Sequence, residues 1–586
     1  MAHEHAAVGE TGVTPEIDRS HEIEGVPDAG TRMADISGTA LARAGVVLAF
    51  VLAFVAVWAM DRPRGAWGRR LRTRFLMGVP WGTLTAAAFV TLVYLFVQGG
   101  LDNWAAPTVL PFRAWSYLYP LGMATASFAH SGPGHLIGNL VGTLTLAPLA
   151  EYAYGHFPRE RGRTSFSSLR RNPFVRAFVV VPGAVVVAGL LTSAFSLGPI
   201  VGFSGVVFAF AGFALVYYPL GTVIALAGGR VVRLAYNALR DPTFVAKAEP
   251  TFSTPWWATI AIQGHALGLA LGVVAGVLVA RRRDVERPDA LRVWIGVVLF
   301  SVSQSLWAVY WYRGADTYVL FRAVGAALVV VLAAIVTLAV AGSDRSLRPD
   351  AAADSLLSVE RWQVGLAILA VGVAAISGPA IPYNVVTAGD EPLPGDGVTV
   401  EGYEVTYAEN VQNGQTAVFE VDAFGESTAV NTSGVLVRNP DRAIWTTAVS
   451  KERLAFAGRS VVRVGGVGWR KHVVAVRRGW RVSGGNVTYR VSLRQGDDNR
   501  TVYRAPPATA EPVLDGANVS VLAGADSFEL AVARGEERAT APIPPRNESV
   551  VLGGIQFSRN DSRVIATYDG SRVPIASVET YRGQEN

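Results

Sequence analysis

The sequence predicts an all-α polytopic membrane protein followed by a β-rich, sandwich-like domain. Three observations carry this. Of the 586 residues, 51% are apolar and only 17% charged, against about 25% charged in soluble globular chains. The apolar residues gather in runs of about 20, the length a bilayer requires of a helix. Beyond residue 381 those runs give way to alternation at period two, the pattern of half-buried strands.

Taken in order, residues 1–38 are polar and acidic and read as a disordered tail without a cleavable signal peptide. Segment 39–79 supplies a first span, Leu41–Met60, and a basic loop with Arg62, Arg64, Arg69, Arg70, Arg72 and Arg74. Spans are then expected at Pro80–Val97, Pro133–Tyr152 and Phe174–Phe195, with a second basic loop (Arg159, Arg161, Arg163, Arg170, Arg171) before the last of these. The stretch Gly202–Leu239 is too long for one span. Pro219 interrupts the helical ladder there, so it reads as two helices, 203–218 and 219–238. Further spans are expected at Trp256–Ala280, Leu291–Trp311, Tyr318–Ala341 and Trp362–Ile381.

Lys and Arg concentrate on cytoplasmic loops. Placing 61–75, 158–171 and 281–283 inside is self-consistent only if two helices lie between 202 and 240. That parity puts the N-terminus and residues 382–586 outside the cytoplasm, in a multi-pass cell-membrane protein. Within that last block, Ser460-Val-Val-Arg-Val and Tyr489-Arg-Val-Ser-Leu alternate as strands do, and all six Asn-x-Ser/Thr sequons (Asn431, Asn486, Asn499, Asn518, Asn547, Asn560) fall there. The chain has no cysteine, which excludes disulfides, thiolate metal sites and a cysteine nucleophile. No motif calls for a metal or a cofactor. The net charge of +6 sits in short clusters between apolar segments, which reads as topology and not as nucleic-acid binding.

Ionisable and polar residues inside spans are costly and default to functional candidates. His135 and Asn139 are four apart and share one helix face. Together they can stabilise a developing oxyanion; the alternative is a pair of interhelical hydrogen bonds. Ser204 lies in Gly202-Phe203-Ser204-Gly205, at the start of its short helix, where backbone N–H groups are free; the alternative is small-residue packing. His265 is expected about ten residues, roughly 15 Å, into its span. Gly268, Gly272 and Gly276 follow it on one stripe, and Gly205, Ala209 and Gly212 form a matching stripe behind Ser204. If these ridges meet, Ser204 and His265 reach hydrogen-bond distance, the minimum for an activated nucleophile; the alternative for His265 is an interhelical hydrogen bond. No Asp or Glu lies at that depth to orient the base, so a dyad is expected.

These motifs resemble the rhomboid family of intramembrane serine proteases. His130-Ser-Gly-Pro-Gly-His135-Leu-Ile-Gly-Asn139 is similar to the family's H-x4-H-x3-N, Gly202-Phe203-Ser204-Gly205 to its G-x-S-G, and His265-Ala-Leu-Gly268-Leu-Ala-Leu-Gly272 to its H-x2-G-x3-G. Glu151 resembles a recurring acidic residue on the same helix as Asn139. The resemblance, which covers about residues 80–280, implies a rhomboid-like six-helix catalytic bundle over 80–283; the apolar runs add one extra transmembrane helix before it and three over 284–381. It implies Ser204 as nucleophile and His265 as general base, an oxyanion hole from His135, Asn139 and the Ser204 N–H, and a supporting role for His130. It also implies transmembrane protein substrates within membrane lipid. The chain departs from the family in three places: Leu121-Gly122 stands where many members have Trp-Arg, Phe208 where Tyr is frequent, and Gly264 where Ala is usual. Two other readings remain: an inactive rhomboid-like binder of transmembrane clients, and a transporter using the intramembrane His and Asn residues as a polar path.

Overall fold

The computed structural model describes residues 29–62, 65–157, 163–243, 251–345, 359–385, 392–415, 422–423 and 425–582. Arg64, Arg159, Arg161 and the first 28 residues of the expected tail lie outside the described residues. The chain divides into two compact units. The first comprises Met1–Glu249, Thr254–Trp311 and Val319–Val386; the second comprises Pro250–Ser253, Tyr312–Tyr318 and Thr387–Asn586.

The first unit is helical. Its main helices are α1 (Ala29–Asp61), α2 (Trp81–Leu92), α3 (Pro133–Tyr154), α4 (Pro173–Phe195), α5 (Ser204–Tyr217), α6 (Pro219–Arg240), α7 (Ile262–Arg282), α8 (Ala290–Ser303), α9 (Arg322–Ala341) and α10 (Arg361–Ser377). Five segments are long and apolar enough to cross a membrane: Gly38–Met60, Pro173–Phe195, Ile262–Arg282, Arg322–Ala341 and Arg361–Val385. The composition of each helix decides its class. α6 carries Arg230, Arg233 and Arg240 and α3 carries His135, Asn139 and Glu151, and neither is among the five. α5 has 14 residues, a rise of roughly 21 Å, which is shorter than a hydrocarbon core of about 30 Å.

Local chemistry sets the ends. α3 opens on Pro133, whose missing N–H costs nothing in the first turn. It closes at Gly155, where φ is 66° and a side chain would strain the backbone. α5 and α6 are separated by Tyr218 alone, with Pro219 heading the second helix. The core of the unit gathers Leu136, Val206, Phe208, Leu215, Leu269 and Val273 from α3, α5 and α7, and extends to Phe300, Val329 and Leu369 of α8, α9 and α10.

Four boundaries differ from expectation. α1 begins at Ala29, inside the expected tail. The expected span from Trp256 is helical only from Ile262, because Pro255 opens a short 3-10 turn over Trp256–Thr259 and Ala261 is not helical. The expected span to Trp311 ends at Ser303, and the one from Tyr318 is helical only from Arg322. Between those helices Tyr310–Gly314 and Thr317–Leu320 form a β-hairpin. Its residues are as apolar as a helix, but aromatic and β-branched side chains around a Gly-Ala-Asp turn favour strands.

The second unit is β-rich, from the period-two pattern of its sequence. One four-stranded antiparallel sheet runs in the order Gly397–Val400, Tyr403–Gln412, Asn431–Asn439, Ile444–Ser450. An eight-stranded sheet runs Asp498–Arg504, Val487–Gln495, Trp469–Val482, Ser571–Val578, Arg563–Tyr568, Ile555–Asn560, Ser549–Leu552, with Arg459–Gly466 also paired to Trp469–Val482. A second four-stranded sheet runs Ala508–Leu514, Ala517–Ala523, Phe528–Arg534, Glu537–Pro542. It packs on the large sheet through one core: Val519, Val521 and Leu530 meet Trp480, Phe557 and Ile575. Alternation explains which side faces in: Tyr489, Val491 and Leu493 are buried while Arg490 and Ser492 are not. All six sequon asparagines are exposed.

One buried ion pair ties the strand Trp469–Val482 to the end of the last strand. Arg477 donates Nε to Glu579 Oε2 at 3.0 Å and Nη2 to Oε1 at 2.8 Å, and its guanidinium lies 3.5 Å over the Tyr489 ring. Nearby, burial and then the Glu409 carboxylate push the Tyr503 phenol up to about 12, so it stays a neutral donor. Removing one member of a buried pair strands the other charge, at about 3–5 kcal/mol. Glu579→Ala should therefore lower the stability of the sheet unit by about that much in chemical denaturation of the full chain. The double substitution Arg477→Met/Glu579→Leu should cost less than the single one. A single substitution within about 0.5 kcal/mol of the parent would show that the pair is dispensable.

Candidate functional site

The residues singled out in the sequence converge at one end of α3, α5 and α7. Ser204 is the first residue of α5 and His265 the fourth of α7. The His265 Nε2 to Ser204 Oγ distance is 2.8 Å, a full hydrogen bond. Because α7 starts at Ile262, His265 sits in its first turn and not some ten residues deep.

What brings the two together is close backbone approach. A Cβ on Gly268 would stand 2.1 Å from the Gly205 carbonyl oxygen, one on Gly272 2.0 Å from that of Ala209, and one on Gly212 2.1 Å from that of Leu269. The two small-residue ridges therefore interlock, and no side chain can replace hydrogen at these positions without parting the helices. Gly264 differs, since a Cβ there would meet only the tip of the Ser196 side chain, Oγ at 2.7 Å, which can turn away.

The imidazole of His265 is held from below. Phe208, one turn after Ser204, stacks on it with ring centroids 4.3 Å apart and planes 13° from parallel. Among the described residues Nδ1 of His265 has no hydrogen-bond partner.

The third helix closes the site. Gly202, at φ 132°, passes so close to His135 that a Cβ would touch its ring Cε1 at 2.4 Å and Nε2 at 2.6 Å. Gly142 of α3 likewise abuts Val207 of α5, where a Cβ would stand 2.8 Å from Cγ1. Asn139 lies on α3 between these two contacts. It is buried, and its Nδ2 has no partner among the described residues. His135 Nδ1 faces the Ser131 hydroxyl at 3.1 Å and the Ser131 backbone N–H at 3.5 Å. A backbone N–H only donates, so the neutral ring is assigned with Nδ1 as acceptor and its proton on Nε2, the nitrogen beside Gly202. His130 is fully buried, its ring edge-on to His135 with centroids 5.2 Å apart.

Several supporting residues were not foreseen. Gln98, at the end of the run that follows α2, accepts from the His130 N–H at 2.8 Å and donates to the carbonyls of His130 at 2.8 Å and Thr108 at 2.9 Å. Ser127 bonds Ser193 Oγ at 2.7 Å and Thr192 Oγ1 at 3.0 Å, and the adjacent Ala126 carbonyl accepts the Gly202 N–H at 2.8 Å. Gln263 donates to the Phe195 carbonyl at 2.8 Å and accepts from the Leu197 N–H at 3.0 Å, fixing the start of α7. The signal available for Gln98 was its type: a lone amide closing an apolar run needs internal partners.

Chemically, the arrangement offers a hydroxyl bonded to an imidazole nitrogen, with donor groups on the neighbouring helix. The described residues contain no group of three or more His, Cys, Asp or Glu placed to hold a metal ion. Comparison with protein-family models, with curated proteins and with solved structures finds no match.

Gly272→Ala should destabilise the helical unit by about 1–3 kcal/mol, as overpacking against backbone does. Gly276→Ala should cost less, because the group it meets is the Val216 side chain, 2.8 Å away at Cγ2. Unfolding of the full chain in a titrated mixture of mild and harsh detergent measures both. Equal losses would mean that the ridge contact is not limiting.

Proposed function

We propose that the chain is an intramembrane serine endopeptidase of the rhomboid type, with a rhomboid-like six-helix bundle formed by α2 to α7. The observation that carries the reading is the 2.8 Å hydrogen bond between Ser204 Oγ and His265 Nε2, made by residues 61 apart in sequence.

His265 takes the hydroxyl proton as Ser204 Oγ attacks the carbonyl carbon of a peptide bond. The Phe208 ring keeps the imidazole from swinging away. Negative charge then develops on the carbonyl oxygen. The donors available to it are the Ser204 N–H at the helix start, His135 Nε2–H and Asn139 Nδ2. His265 returns its proton to the leaving amine, and a water activated by the same imidazole hydrolyses the acyl-enzyme. Among the described residues no carboxylate bonds His265 Nδ1, which is consistent with a dyad in which packing does the orienting.

Water must reach this chemistry in a bilayer. The 14-residue length of α5 supports a recess above Ser204, because a helix of roughly 21 Å leaves part of the membrane thickness to other chain or to solvent. The basic clusters favour an orientation with Ser204 toward the exterior and the β-rich unit outside the cytoplasm. The substrate class that fits is a transmembrane protein whose helix breaks near its outer end, exposing a peptide bond at that depth.

Ser204→Ala should abolish cleavage of a transmembrane model substrate reconstituted with the full chain, while the variant still inserts. A serine-directed fluorophosphonate should label the parent and not the variant. Undiminished cleavage by Ser204→Ala would overturn the mechanism. Asn139→Ala should retain labelling but lose about 100- to 1000-fold in turnover, the usual cost of one oxyanion donor. Unchanged turnover would remove Asn139 from that role.

A further inference from the structure

At the ends of α3, α5 and α7 away from Ser204, three arginines converge on the close of α3. Arg74 donates to the carbonyls of Tyr152 at 3.1 Å and Ala153 at 2.8 Å. Arg176 donates to Gly155 at 2.9 Å and Tyr154 at 3.1 Å, and Arg283 to Tyr154 at 2.6 Å. The Tyr154 ring carries two of the guanidiniums, Arg176 at 3.9 Å and Arg283 at 5.0 Å from its centroid. Among the described residues none of the three is ion-paired, whereas Arg281 and Arg287 nearby share Asp344. Glu151, one turn before Tyr154 on α3, is committed elsewhere. It accepts from the N–H groups of Gly82 at 2.8 Å and Thr83 at 2.7 Å, from Thr83 Oγ1 at 2.6 Å and from His156 Nε2 at 2.6 Å.

The same Tyr154 lines an apolar cavity of about 240 Å3 between α3, α4, α5 and α7. Apart from Glu151 and Tyr154 its walls are apolar, with Phe210 and Phe213 among them, and Val180, Ala184 and Ala275 are exposed, so it opens on the side of the bundle. A slot of this kind facing lipid, with uncompensated positive charge at one end, has the shape of one molecule: acyl chain in the slot, anionic headgroup on the arginines. Arg283 commits one of its five N–H groups to Tyr154 and has the others to offer.

We propose that this cleft is a binding site for an anionic phospholipid. The phosphate lies against Arg283 beside Tyr154, while Arg176, buried with Nε, Nη1 and Nη2 donating to the carbonyls of Gly155, Arg170 and Tyr154, adds only its charge; one acyl chain fills the cavity lined by Ala184, Val206, Phe213 and Ala275. The site is separate from Ser204 and His265, and it holds whether or not those residues catalyse.

The test uses the full chain in a neutral detergent, with thermal unfolding followed as lipid is added. Phosphatidylglycerol should raise the midpoint, while phosphatidylcholine of the same chains and inorganic phosphate should not. Arg283→Gln should weaken the phosphatidylglycerol response about tenfold in the concentration required. Ala275→Phe, at an exposed position that disturbs no core packing, should block the slot and abolish the response. The Ser204→Ala protein should respond like the parent. Equal protection by phosphatidylcholine, equal protection by inorganic phosphate, or an unchanged phosphatidylglycerol response in both variants would each overturn the assignment.

Discussion

The helical unit depends on one contact: the backbone of α7 lying directly on the backbone of α5. Where two helices pack through large side chains their axes stand about 8–10 Å apart. Here Gly268 and Gly272 press on the carbonyls of Gly205 and Ala209 with no Cβ between. Only at that separation does the side chain of His265, in the first turn of one helix, reach the hydroxyl of Ser204 at the first residue of the other. In hydrocarbon there is no hydrophobic gain from bringing helices together, so close packing and internal hydrogen bonds must hold them. The glycines provide the first and make the second possible.

Around that contact, the polar groups of the unit are arranged so that each steadies a piece of irregular backbone. Gln98 holds both backbone groups of His130. The Ser127, Thr192 and Ser193 cluster steadies the segment whose Ala126 carbonyl receives Gly202. Glu151 caps the start of α2 through Gly82 and Thr83. Buried groups left unsatisfied are costly, so the unpartnered ones stand out. Among the described residues these include Nδ2 of Asn139, Nδ1 of His265 and both ring nitrogens of His130, alongside others away from the site such as Ser301 Oγ.

The β-rich unit is built on a different rule. Its strands turn every second residue inward, and its two packed sheets share one apolar core. Buried charge in this unit is paired: Arg477 with Glu579 in a bidentate pair stacked on Tyr489, and Arg438 with Glu404. Pairing, hydrogen bonding and ring contact together offset the desolvation of two ions. The exposed asparagines on its surface leave the six sequons accessible.

Apolar runs, the break at Pro219 and the period-two alternation after residue 381 were legible in the sequence, because each is a local pattern of side-chain chemistry. So were the types and spacing of Ser204, His265, His135 and Asn139. Boundaries were less so: Trp256 and Trp257 count as apolar in any window, yet Pro255 opens a turn there, and the hairpin Tyr310–Leu320 overlaps apolar runs long enough to be read as spans. Gln98 and Ser131 could not be assigned their partners, since nothing local says which carbonyl or ring nitrogen an amide or hydroxyl will face. The sequence by itself determined which segments are apolar, where small residues line up and which reactive groups exist. The tertiary structure alone decided which of those groups touch, because a hydrogen bond is made or lost over less than an ångström and that distance is set by how closely two backbones approach.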